Sequence, residues 1–190
     1  MKKIIALLMI FVLTISLVAC KKDEVPPTTN DPVVEEPEDN DEVVDPTPDS
    51  DSKEVALYFV SDKYIETGDE SLEKLVPEYR KIELGDFSLE ESIVKALMEG
   101  PESEGVSTVI PSSAKLIGVE VADKTAFVNF AREGMFGGSL EETYTINQIV
   151  ASLIELDTVD RVQFLVDGQK TDSLMGHYDL EEPFDKPINQ

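Results

Sequence analysis

The 190 residues contain one cysteine, one histidine and no tryptophan, and only sixteen basic residues stand against forty acidic ones. Each shortage removes a class of function. A lone cysteine excludes an intrachain disulfide, and together with one histidine it cannot build a zinc site of the usual Cys/His kind. A net charge of −24 argues against nucleic acid or an anionic membrane surface as partner, because both require a basic footprint. No metal and no cofactor is expected. Apolar runs are scarce too: the longest, from Ile4 to Val18, is short for a transmembrane helix.

That run lies behind Lys2 and Lys3 and ends in Leu17-Val18-Ala19-Cys20, the layout of an export signal with small residues before a cleavage point. The tetrapeptide resembles the lipobox of bacterial lipoproteins. The resemblance implies cleavage between Ala19 and Cys20, diacylglycerol on the Cys20 thiol and often a further acyl chain, such as palmitate, on the new amine. Two or more chains hold a protein stably on a bilayer. The expected location is the outer face of the bacterial cytoplasmic membrane.

Residues 21–53 carry six prolines, twelve acidic residues and no aromatic, too little apolar surface to offset the entropy of ordering. They read as an extended tether reaching on the order of 110 Å at about 3.3 Å per residue. The expected organisation is a signal peptide over 1–19, a lipidated cysteine and acidic tether over 20–53, and one domain over 54–190.

The domain is organised around Ala114 to Phe130, which reads as a β-hairpin. A two-residue loop at Asp123-Lys124 pairs Val121 with Ala126, Val119 with Val128 and Ile117 with Phe130, so apolar residues meet apolar partners. Glu120 with Phe127 and Gly118 with Asn129 fall on the other face. A three-residue loop would mix the faces. Lys124 stands where hairpin turns favour glycine, which leaves the turn type open. Val55 to Val60 reads as a strand covered on both faces, Glu78 to Leu84 as an edge strand, and Arg161 to Val166 as a strand ended by Asp167-Gly168. Ser88 with Glu91 and Ser139 with Glu142 match capping boxes that open two helices. Gly100-Pro101 stops the first, and Ile146, Ile149, Val150 and Leu153 form the stripe of the second. Strand, helix, hairpin, helix and strand predict an α+β two-layer sandwich, with a mostly antiparallel sheet and two helices on one face. The segment after Gly168 reads as an irregular tail.

Several short patterns in this order resemble the GerMN domain of sporulation and spore germination lipoproteins. They are Ala96 to Pro101, containing Gly100 and Pro101; Ile110-Pro111; Thr125 to Phe130, containing Val128, Asn129 and Phe130; and Val159 to Gly168, containing Phe164, Val166, Asp167 and Gly168. Gly176-His177 with Asp179-Leu180 matches the family's close. The chain departs from the family at Lys124 and in carrying one copy where the best-known germination protein has two. The resemblance implies a small surface-tethered module without an established catalytic site.

His177 is the residue type used as a neutral-pH base, yet no strained nucleophile elbow accompanies it, and it reads as a turn residue. Acidic pairs discriminate nothing among forty carboxylates. The candidate interaction surface is Gly118, Glu120, Phe127 and Asn129, an aromatic and a polar group beside bare backbone; the alternative is a plain surface covered by Leu174 to Phe184. The expected function is a noncatalytic contact module that binds a protein or wall polymer in sporulation, germination or envelope assembly. Alternatives are a cell-wall hydrolase using acidic residues and, with too few residues for two lobes, a solute-binding component of a transporter.

Overall fold

A computed structural model describes residues 52–188; the signal peptide, Cys20 and nearly all of the tether lie outside the described residues. The first strand, β1 (Ser52–Ser61), starts two residues before the expected domain boundary. Ser61 then ends the strand, and its side chain accepts the Tyr64 N–H to cap the short helix α1 (Asp62–Thr67). Gly68, at φ 63°, closes α1 in the left-handed conformation. This helix is absent from the sequence reading.

Strand β2 (Leu75–Glu83) pairs antiparallel with β1 along nine residues, from Val60 with Leu75 to Ser52 with Glu83. It begins three residues earlier than expected and carries Pro77, which an edge strand tolerates because that ladder position can dispense with an N–H. Helix α2 (Leu89–Glu99) has Ser88 as its cap, accepting the Glu91 N–H at 3.1 Å. Gly100 stops it at φ 100°, with its N–H on Ala96 O. A two-residue strand, β3 (Val106–Ser107), follows and pairs with the end of β1.

Strands β4 (Leu116–Ala122) and β5 (Thr125–Phe130) form the expected hairpin with the two-residue turn. Asp123 and Lys124 both take positive φ, 49° and 57°, the signature of a type I′ turn. One pairing differs from expectation: Phe130 faces Leu116, not Ile117, because the register shifts between Leu116 and Gly118. Ile117 is thereby turned out and is 55% exposed. Two apolar residues compete for Phe130, and the bulge sends the other to solvent.

Helix α3 (Ser139–Ile154) carries the chain from β5 to β6 (Arg161–Val166), which lies parallel to β5 with Val128 beside Phe164. Its cap is Gly138, not Ser139: the Glu141 carboxylate accepts the Gly138 N–H at 3.1 Å, so the expected Ser139–Glu142 box is displaced by one residue. β7 (Gln169–Lys170) returns from β6 through the Asp167-Gly168 turn.

The class is α+β, as expected, but the strands divide between two sheets, ordered β2-β1-β3 and β4-β5-β6-β7. Helix α2 packs on β1 and β4, and α3 on β1 and β6, so the helical layer joins the two sheets over one core. Phe59, Phe130, Phe164, Leu97, Ile146 and Leu153 are all fully buried there, each worth about 2 kcal/mol of transfer from water. Among the described residues no helix is long and apolar enough to cross a membrane.

Candidate functional site

The hairpin brings the four expected surface residues together. Gly118 pairs with Asn129 and Glu120 with Phe127, on the face opposite Ala126, Val128 and Phe130, which are fully buried. Glu120 is exposed and Phe127 half-buried. On the neighbouring strand Gln163, beside Phe127, is buried and donates Nε2–H to Leu180 O at 2.8 Å. The C-terminal segment therefore covers the β6 part of this face and leaves the Glu120 corner open. Asn129 is not free for a partner through its carbonyl, since Oδ1 accepts the Gly168 N–H at 2.9 Å.

The same bond accounts for several of the motif residues. Asp167 at φ 50° and Gly168 at φ 76° make the β6–β7 turn. Asp167 donates its N–H to Phe130 O at 2.9 Å, and its Oδ1 accepts the Arg132 N–H at 3.2 Å. The end of β5 and the turn after β6 are thus clipped together by Asn129 and Asp167. Val128, Phe130, Phe164 and Val166 fill the core beneath. Pro111 O accepts the Ala114 N–H at 2.8 Å and sets the entry to β4.

Gly100 and Pro101 open a loop that β2 holds. Arg80 donates to Gly100 O at 3.1 Å and pairs with Glu78. Glu78 accepts the N–H groups of Glu102 and Ser103, the latter at 2.7 Å. Burial pushes the Glu78 carboxyl up, but the Ser103 hydrogen bonds and the Arg80 guanidinium outweigh it and hold the group below its usual 4.5.

Helix α3 carries the polar residues that sequence reasoning missed. Glu142 is fully buried; its Oε1 accepts from Ser173 Oγ, Leu174 N and Met175 N at 3.0, 2.9 and 2.9 Å, and its Oε2 from His177 N at 2.7 Å. Asn147 exchanges two hydrogen bonds with the backbone of Ile188. Gln148 accepts the Val109 N–H at 3.0 Å, and Ser152 accepts the Tyr58 N–H at 2.9 Å. One helix therefore fastens β1, the loop before β4 and two stretches of the C-terminal segment. A signal was present: residues 143–154 contain no charge in a chain that is 29% charged, as expected of a helix enclosed on every side. His177 sits in the held loop with its Nε2 3.2 Å from Gly137 O, the turn role expected for it.

Among the described residues, concave regions include a cleft and a groove. A cleft of about 480 Å³ lies over Tyr64, Tyr144, Glu70 and Lys74. The tyrosine rings meet edge to face at 5.7 Å, and burial together with a hydrogen bond to Tyr64 raises the Tyr144 hydroxyl pKa far above its ordinary value. The Lys74 ammonium, 2.7 Å from Glu70, holds that carboxyl below its usual range. The second is a groove along β1 toward the C-terminal end of α3, where Tyr58 Oη donates to Glu155 at 2.9 Å. Burial, and the hydrogen bond and charge of Glu155, push the Tyr58 hydroxyl up to about 12. Among the described residues no three His, Cys, Asp or Glu side chains are grouped to hold a metal ion.

No curated protein matches the sequence. Among solved structures, the tandem GerMN domains of the sporulation protein GerM from Bacillus subtilis align at 21% identity and a TM-score of 0.57. That alignment covers 77% of this chain and 50% of the tandem structure, so the chain spans half of that relative's length. The first GerMN domain of the same protein aligns at 15% identity and a TM-score of 0.53, covering 72% of this chain and 94% of that domain. At these identities the likeness is one of fold. The family model for Germane, described as sporulation and spore germination, matches residues 56–172, well over half of the chain, and the chain belongs to that family of GerMN domains.

Proposed function

We propose that the chain is an extracytoplasmic lipoprotein, cleaved after Ala19 and held through lipid on Cys20 to the outer face of the cytoplasmic membrane, with residues 20–53 as tether and the domain beyond. The domain works by contact with a protein or wall polymer in sporulation, germination or envelope assembly. The carrying observation is what this sporulation-family domain does with Glu142, its fully buried carboxylate. Four donors occupy it, whereas a general acid or base needs a free lone pair or proton facing a substrate. Among the described residues the other buried acid is Glu90, which accepts from Thr158 at 2.8 Å.

Deleting the gene is expected to impair spore formation, germination or envelope integrity. The wild-type chain restores the phenotype and Cys20→Ala does not. Normal spores and a normal envelope in the deletion strain would contradict the proposal.

A further inference from the structure

The groove along β1 has the makings of a docking site. Its wider part encloses about 450 Å³ and its narrower part about 240 Å³, and Glu54, Val55, Glu155 and Leu156 line both. Half-buried Leu156 supplies apolar surface within it above the buried Val55, and Leu84 and Phe87 stand at its side, 40% and 50% exposed. Contiguous exposed apolar surface rimmed by polar groups is the kind that marks an interaction site. Phe87 already attracts a cation: the Lys95 ammonium lies 3.4 Å from its ring centroid.

Charge selects the occupant. Glu54, Glu155 and Asp157 are exposed along the groove, Glu90 lies deeper, and Lys53 is the one basic residue among its lining. The chain's own residues 21–51 carry twelve further acidic residues and are a poor charge match for this rim. A second copy at a net charge of −24 is disfavoured for the same reason. We infer that the groove docks a segment of a partner protein in which lysine or arginine alternates with apolar side chains. The apolar residues bury against Leu84, Phe87 and Leu156, and the cations meet the carboxylate rim. Rim charges of this kind act mainly on association rate and choice of partner, and salt screens them. This inference rests on the reading of the domain as a contact module.

The test uses the full chain and a short fluorescein-labelled peptide of alternating lysine and leucine, followed by anisotropy and by backbone amide shifts. Binding is expected to weaken with added salt and to fall about tenfold in Leu84→Ser with Phe87→Ser. Shifts should gather at Lys53, Leu84, Phe87 and Asp157, and Glu104→Gln with Glu133→Gln, away from the groove, should bind as the wild type does. Both apolar positions are exposed, and thermal unfolding checks that the variant folds. No binding, equal binding of the glutamate-leucine counterpart, equal loss in the distant variant, or self-association in place of binding would each overturn the inference. Loss of binding beside an impaired deletion strain removes the groove and leaves the contact-module reading; binding beside a normal deletion strain does the reverse.

Discussion

Glu142 on α3 receives the backbone N–H of His177, thirty-five residues further along the chain, at 2.7 Å, and with the same carboxylate gathers Ser173, Leu174 and Met175. The segment after β7 has little strand or helix of its own, so its backbone donors need partners from elsewhere. A single buried carboxylate supplies three of those contacts and also accepts from the Ser173 hydroxyl. Leu174 and Leu180 are then buried against the core.

Glu142→Ala should lower stability by about 3 kcal/mol, since several donors lose a charged acceptor. Glu142→Gln should cost less, because one carbonyl oxygen remains while the amide NH2 faces donors. Urea unfolding measures both, and hydrogen exchange should show amides 174, 175 and 177 losing protection before the β5–β6 ladder does. Unchanged exchange at those amides in Glu142→Ala would remove the clamp.

Lys124 occupies left-handed space at φ 57°, where a side chain costs on the order of 1 kcal/mol. Its carbonyl accepts the N–H groups of Asp160 and Arg161, and its ammonium meets the exposed Asp160 carboxylate at 3.2 Å. Lys124→Gly keeps the carbonyl and gives up an exposed ion pair of small worth. A net gain of about 0.5 kcal/mol is expected in chemical denaturation; a loss of similar size would mean that the ion pair outweighs the backbone conformation.

Gly134, at φ 89°, leaves no room for a side chain: a Cβ there would lie 1.9 Å from Ser113 O. Gly134→Ala should cost roughly 3 kcal/mol or more, from backbone strain and the displaced carbonyl together. Gly118→Ala is the control, since a Cβ there meets nothing nearer than Glu91 at 3.7 Å, and should lie within about 0.5 kcal/mol of wild type. Thermal unfolding separates the two.

Glu78 gives the acid limb its sign. Its folded-state pKa lies below the ordinary 4.5, so the unfolded chain takes up its proton first as pH falls. Its contribution is therefore complete above pH 4.5 and is lost as pH drops through the folded-state value. Glu78→Gln should destabilise the protein near neutrality and have a shallower loss below about pH 4. Parallel stability curves for the two proteins would contradict this.

How much the sequence discloses depends on the range of each interaction. The hairpin register follows from alternation alone, because pairing Val119 with Val128 leaves Glu120 and Gly118 together on the other side. Leu116 and Ile117 are equally apolar, and alternation cannot say which of them meets Phe130; packing decides. The parallel β5–β6 pairing and the division into two sheets depend on contacts between distant segments, which no local pattern encodes. Glu142 and Ser139 fit a capping box three residues apart, and a carboxylate turned inward looks the same in sequence as one turned out. The surface at Gly118, Glu120, Phe127 and Asn129 assembles as the alternation requires, whereas the bond from Gly168 to Asn129 joins β5 to a turn thirty-nine residues away. The uncharged run at 143–154 was the readable trace of a helix buried all round.

We propose that this domain acts by contact and that its acids serve structure and recognition. Incubating the purified full chain with labelled peptidoglycan and following the release of soluble fragments tests it most directly. Release no greater than in a protein-free control is expected. Turnover that disappears when two specific carboxylates are replaced by their amides would contradict it.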